Sequence, residues 1–184
     1  MKKARMALAV MVCMAVLCGC HEKGYSANTV ITVNKNDFIV NHLELRIKAK
    51  DIRNEVKPKN PQGYYTHYKK KDGYHYHVLY GTLKNIGNKK ININQIKVSS
   101  SFNNEVYEGK LVLINEIESY FWDEIESGVE LNFYLFSIVD NEQQDPDEYH
   151  LFYDEDNIIK ETQKAFDYEI KYKIDNNLEV NKDI

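Results

Sequence analysis

Three histidines stand close enough in the sequence to share a metal ion. His75 and His77 are two apart, with His67 and Asp72 just upstream. On a strand, positions i and i+2 share a face with β-carbons about 7 Å apart, so both imidazoles can reach one ion. Neutral imidazoles suit zinc, copper or nickel. A tetrahedral zinc site would need His67 folded back as a third ligand, and Asp72 or water as a fourth. The plainer reading of the same residues is the solvent side of a sheet. A second set is acidic: Asp145, Asp147, Glu148, Asp154, Glu155 and Asp156. Oxygen donors suit calcium, but Ile158 stands where an EF-hand loop wants a polar residue, so a solvated loop is the better reading. A third set is aromatic. Tyr64, Tyr65, Tyr120 and Trp122, with Tyr68 and Phe121, fall in or near loops of a chain that carries 14 tyrosines. Such residues suit contact with a protein or a glycan; the alternative is that they cover the ends of a domain. For catalysis there is no Gly-x-Ser-x-Gly elbow, no His-Glu-x-x-His and no phosphate loop. Carboxylate pairs abound, but no spacing sets two across a cleft, and a hydrolase ranks third among the readings.

The stretch Leu17-Cys18-Gly19-Cys20 resembles the lipobox of bacterial lipoprotein precursors. Lys2, Lys3 and Arg5 precede an uncharged apolar run from Met6 to Leu17. A basic start, a short apolar stretch and a small residue at the cut mark a secretory signal. The run is too short to cross a bilayer, which takes roughly 20 residues. Cys18 departs from the commoner small residue at its position. The resemblance implies that Cys20 is acylated and becomes the first residue of the mature protein. That anchors the chain at the extracytoplasmic face of the cell membrane. Acyl chains contribute about 0.8 kcal/mol per buried methylene, so a multiply acylated cysteine holds where one chain would not.

Removal of residues 1–19 leaves 165 residues, enough for one domain with a substantial core. It also removes three cations, leaving 21 basic against 28 acidic residues, a net charge of −7. That balance argues against nucleic acid and against a polybasic membrane patch. Cys13 and Cys18 leave with the signal, and Cys20 is the lipid site. No thiol remains for a disulfide, a zinc knuckle or a nucleophile, and no cofactor is expected.

The elements that must position these residues read as strands. Residues 20–36 are the lipidated cysteine and a tether, with a short strand possible at Val30 to Val33. Leu43, Leu45, Ile47 and Ala49 alternate with charged neighbours inside one strand from Asp37 to Arg53. Pro58, Pro61 and Gly63 break the long connection Lys57 to Gly73, and Asp72-Gly73 is a tight-turn signal. Tyr74 to Asn85 and Lys90 to Ser99 form a pair, with a phase flip between Ile93 and Ile96 that suggests a bulge. Glu105 to Asn115, Val129 to Val139, Tyr149 to Tyr153 and Phe166 to Ile174 add strands; Asp154 to Ala165 reads as a brief helix. Seven or eight strands with turns between them predict a two-sheet sandwich over residues 37–175, with 176–184 frayed. Its core should include Leu43, Leu45, Ile47, Leu83, Ile96, Val98, Leu131, Phe133, Ile170 and Tyr172.

Tyr80-Gly81-Thr82-Leu83-Lys84-Asn85-Ile86-Gly87-Asn88 runs a strand into an Asn-x-Gly turn. Ile125-Glu126-Ser127-Gly128-Val129-Glu130-Leu131 feeds a late strand from a second turn. On these motifs residues 74–138 resemble a family of secreted and lipoprotein domains of uncharacterised function. The sandwich of that family is similar to that of the mycobacterial immunoprotective extracellular antigen and telokin-like secreted domains. The resemblance implies an immunoglobulin-like sandwich and carries over no catalytic residue. The expected function is a non-enzymatic binding module for an envelope protein or a glycan. The alternative is a metal-binding lipoprotein using His75, His77 and His67.

Overall fold

The alternation around Leu43–Ala49 builds a hairpin where one strand was expected. In the computed structural model, which describes residues 25–180, β2 (Asp37–Val40) pairs antiparallel with β3 (Leu43–Arg53). Asn41 turns the chain at φ 52°, a left-handed conformation that asparagine tolerates. β3 pairs in turn with β4 (Tyr74–Asn85), and β4 pairs along its length with β10 (Glu130–Asp140). The predicted signal segment, Cys20 and residues 181–184 lie outside the described residues.

One strand carries the chain from the first layer to the second. β7 (Glu105–Ile114) pairs through its second half with β10 and through its first half with β6 (Ile96–Phe102). Gly109 is the corner, opposite Ser137 on one side and Val98 on the other. A β-carbon there would sit 2.6 Å from Val98 Cγ1 and 3.0 Å from the Phe136 carbonyl oxygen, so only glycine lets the strand switch layers. Beyond β6 come β11 (Glu148–Tyr153), β12 (Ala165–Lys173) and β1 (Ser26–Val33). Contacts between strands that are not neighbours close the two layers face to face. Phe38 stacks on Tyr172 at 5.8 Å, and the Ser100 hydroxyl donates to Ser137 Oγ at 2.7 Å. All ten predicted core residues are buried between the layers. β1–β12 is parallel; the remaining long pairings are antiparallel.

The thirteen strands of the described residues exceed the expected number because five are short. These are β2, β5 (Ile91–Asn92), β8 (Phe121–Trp122), β9 (Glu124–Ile125) and β13 (Glu179–Val180). The two turns singled out in sequence meet in space. Asn85 donates through Nδ2 to the carbonyls of Lys89 and Ile125, and its backbone exchanges bonds with Gly128 and Val129.

Several local expectations change. The phase flip after Lys90 is a single 3-10 turn, Ile93–Gln95, and not a bulge. Asn92 Oδ1 accepts from the Asn94 amide and Gln95 Oε1 from the Asn92 amide, a reciprocal cap that ends β5. Residues 154–164 form bends and a turn and not a helix, because Asp154 Oδ1 accepts from the amides of Asp156 and Asn157 while Gln163 ties to Oδ2. The strand after the tether starts at Ser26, since Tyr25 already packs on Phe152 and Phe166. The tail does not end at residue 175: Leu178 is buried, and β13 pairs in parallel with β3.

The broken segment 54–73 does not hang free. Val56 and Tyr68 bridge to each other and seal a second apolar cluster on the outer face of β4, β7 and β10, with Tyr76, Val78, Val112, Ile114, Tyr134 and Phe136. That is why β4 and β10 are apolar on both faces. Among the described residues no helix is long and apolar enough to cross a membrane.

Candidate functional site

β4 separates the three histidines. His75 and His77 lie on the inward side with Leu79 and Leu83, whereas Tyr76 and Val78 point to the outer cluster. The 54–73 segment does fold back over the strand, but over its outer face. His67 therefore bonds Glu55 at 2.8 Å and does not approach the other two. His75 is held on both ring nitrogens, by Asn141 Oδ1 at 2.8 Å and Asp145 Oδ1 at 2.7 Å. Asp72 is spent in the turn before β4. Among the described residues no three His, Cys, Asp or Glu side chains converge to hold an ion.

His77 is different. It is 5% exposed and reaches across the layers to Tyr149, Nδ1 to phenol oxygen 3.1 Å. The Tyr149 hydroxyl donates to the His77 carbonyl at 2.8 Å. With its proton committed there, the phenol oxygen accepts from His77, which fixes the proton on Nδ1 and leaves Nε2 as an acceptor. A cavity of about 480 Å³ opens beside the ring. Its wall includes Ile52, Asp145, Pro146, Ile174 and Val180. Burial pushes the imidazole down to about 4 from an ordinary 6.5; Asp145 and Asp51 pull it back, while Lys50 and His75 push the same way as burial. The folded chain therefore refuses a proton that the unfolded chain accepts. Stability present at pH 7 is lost as pH falls from 6.5 toward 4. His77→Gln should flatten that window. Urea titrations at pH 7 and pH 5 should show the wild type losing on the order of 1–3 kcal/mol more than the variant.

The predicted aromatics come together on one side. The Asn60 amide donates to the Glu118 carbonyl at 2.8 Å, and Tyr68 lies against Phe121 with ring centroids 6.2 Å apart. The 54–73 segment is thus fastened at two points to the 115–122 loop, with Tyr64 and Tyr65 between them. Tyr64 is fully exposed; Tyr120 and Trp122 stack at 6.1 Å and are each about two-fifths exposed. A signal that the net charge conceals is the local clustering of cations. Residues 53–71 hold Arg53, Lys57, Lys59, Lys69, Lys70 and Lys71 against the single acid Glu55. A whole-chain charge of −4 hides this basic arm. Arg53 anchors it, with Nε donating to Asp51 Oδ2 at 2.7 Å and its guanidinium 4.9 Å from the Tyr134 ring centre. A cavity of about 580 Å³ lies beside Arg53, Lys57, Lys59 and Lys70.

The acidic set is dispersed. Asp154 caps its own turn. Burial opposes its charge, but hydrogen bonds from Gln163 and Asn157 outweigh that and hold it below the usual range. Glu148 goes to His150, at 2.9 Å from Nε2, while Glu169 takes Nδ1 at 3.0 Å. His150 was not singled out in sequence. Its partner Glu169 is supplied by β12, 19 residues on.

No protein-family model and no curated protein matches the chain. Among solved structures it is similar to an uncharacterised β-sandwich protein from Clostridium difficile 630, at 16% identity and a TM-score of 0.56, covering 82% of this chain and 97% of that one. At this identity the likeness shows the fold, an all-β sandwich. It is also similar to a candidate lipoprotein, ycdA, from Bacillus subtilis subsp. subtilis str. 168, at 14% identity and a TM-score of 0.43, covering 78% of this chain and 39% of that one. The yjhA protein from Bacillus subtilis gives 16% identity, 76% and 99% coverage and a TM-score of 0.41.

Proposed function

We propose that this chain is an exported lipoprotein, anchored through Cys20, whose basic aromatic arm binds an anionic glycopolymer of the cell envelope. The arm carries the reading: six cations to one acid, beside exposed Tyr64, Tyr120 and Trp122 and half-buried Tyr65. Aromatic rings cover sugar faces at low entropic cost, and lysines at the rim attract a polyanion without fixing its geometry. The lipobox-like stretch supports the address. From Cys20 to Ser26 the chain can extend only about 20 Å, so the domain would sit close to the membrane. No observation favours a catalytic role.

Two arms of one experiment test this. Cys20→Ala should abolish fatty-acid labelling, and equal label in the variant would refute the anchor. Wild-type protein in detergent should co-sediment with purified cell-wall sacculi, and less so at high salt, because exposed charges are screened. Tyr64→Ala/Tyr65→Ala/Trp122→Ala should weaken binding by about 2–4 kcal/mol if the rings are the anchors. Equal sedimentation of the triple variant, or of sacculi stripped of anionic polymer, would overturn the glycopolymer reading.

A further inference from the structure

We propose that the cavity beside His77 is a binding site for a small amphiphilic cation, one with an apolar body and an N–H donor. The site lies between β3, β4, the β10–β11 loop and the tail through β13. The glycopolymer reading is not a premise of it, although Asp51 lines both this cavity and the one beside the arm.

Three observations build it. The first is the acceptor. His77 is 95% buried by residue area and lines the cavity, and its Nδ1 is occupied on the core side by Tyr149, which leaves Nε2 as the ring's acceptor. A ligand N–H placed in the cavity would meet that acceptor. The second is the apolar wall. Pro146 and Ile174 line the cavity, and the exposed side chains of Ile52 and Val180 stand at its rim. Covering two exposed aliphatic side chains favours an apolar body over water. The third is charge. Asp51, Asp145 and Asp147 line the cavity against the single cation Lys50. Asp51 is paired with Arg53 and Asp145 Oδ1 with His75, which leaves Asp147 as the lining carboxylate outside those two pairs. An anion would meet that carboxylate, which selects against it.

The geometry also explains the pairing of β13 with β3. Glu179 and Val180 run beside Ala49 and Lys50, and the Ile174 amide donates to the Asp147 carbonyl at 2.8 Å. The tail and the β10–β11 loop are thereby tied to each other where they line the cavity.

The test uses one ring with three head groups: benzylamine, benzyl alcohol and benzoate. Histidine-selective NMR is recorded on the full mature protein in lipid nanodiscs, with empty nanodiscs as the blank. The His77 ring signals are assigned by their loss in His77→Phe. Benzylamine should shift them saturably, and benzoate should bind at least about tenfold more weakly. Asp147→Asn should weaken benzylamine several-fold while leaving benzyl alcohol unchanged. Val180→Lys, at an exposed rim position, should block all three without unfolding the domain. Absence of a saturable shift with benzylamine would overturn the site. So would equal affinity for benzoate, or benzylamine binding unchanged by Val180→Lys.

Discussion

Phe133→Ala is expected to cost about 3–5 kcal/mol of folding free energy, the range for removing a fully buried ring. Phe133 is completely buried in the inter-layer core and sits in register opposite Gly81 on β4. Its ring covers the glycine, with Cζ 3.0 Å from where a Gly81 β-carbon would stand. Truncation therefore opens a void with a glycine floor, and no neighbouring side chain on β4 can fill it. A domain of this size loses about 2–4 °C of melting temperature per kcal/mol, so the variant should melt roughly 6–20 °C lower. Urea unfolding followed by far-UV circular dichroism gives the free energy directly. A loss below about 1 kcal/mol would mean that the layers do not close over this ring.

Gly81→Ala should be nearly as damaging for the opposite reason. β3 carries an extra residue at Lys48, where the register slips between Ile47 and Ala49. The Arg46 carbonyl oxygen is thereby brought to 2.0 Å from an added β-carbon on Gly81. Overpacking costs about 1–3 kcal/mol when side chains can give way, and here the obstacle is backbone, so about 3 kcal/mol or more is expected. The double variant with Phe133→Ala separates the two contacts. If the backbone is the obstacle, the losses add; if the ring is, the smaller side chain rescues the alanine. Urea midpoints of the four proteins decide between them.

Much of this was legible because strand periodicity is local. Leu43, Leu45 and Ile47 alternate with charge, and each is buried as its phase requires. The turn at Asn85 was legible too, since its side-chain oxygen accepts from the Gly87 amide within the stretch itself. What failed needed residues far apart. The inward and outward faces of β4 both read as usable, because sequence does not show that the 54–73 segment returns to cover one of them. That single fact puts His67 on the wrong side of the strand from His75 and His77. Likewise Tyr149, which fixes the His77 proton, is 72 residues away and left no local trace. The basic arm was in plain view, but a chain-wide charge averages over the segregation that gives a surface its field.

The N-terminal strand also has a mechanical meaning. If Cys20 carries the lipid, any pull between membrane and a bound polymer enters the domain at Ser26, the first residue of β1. β1 runs parallel to β12 with seven residues in register, from Ser26 opposite Ala165 to Val33 opposite Tyr172. A load along that strand stretches the whole ladder at once, as tape resists sliding, whereas a hairpin opened from its free end would peel one bond at a time. The molecule is thus gripped in shear at the point where its leash attaches, and the Tyr25 ring, wedged against Phe152 and Phe166, is the first thing such a force must dislodge.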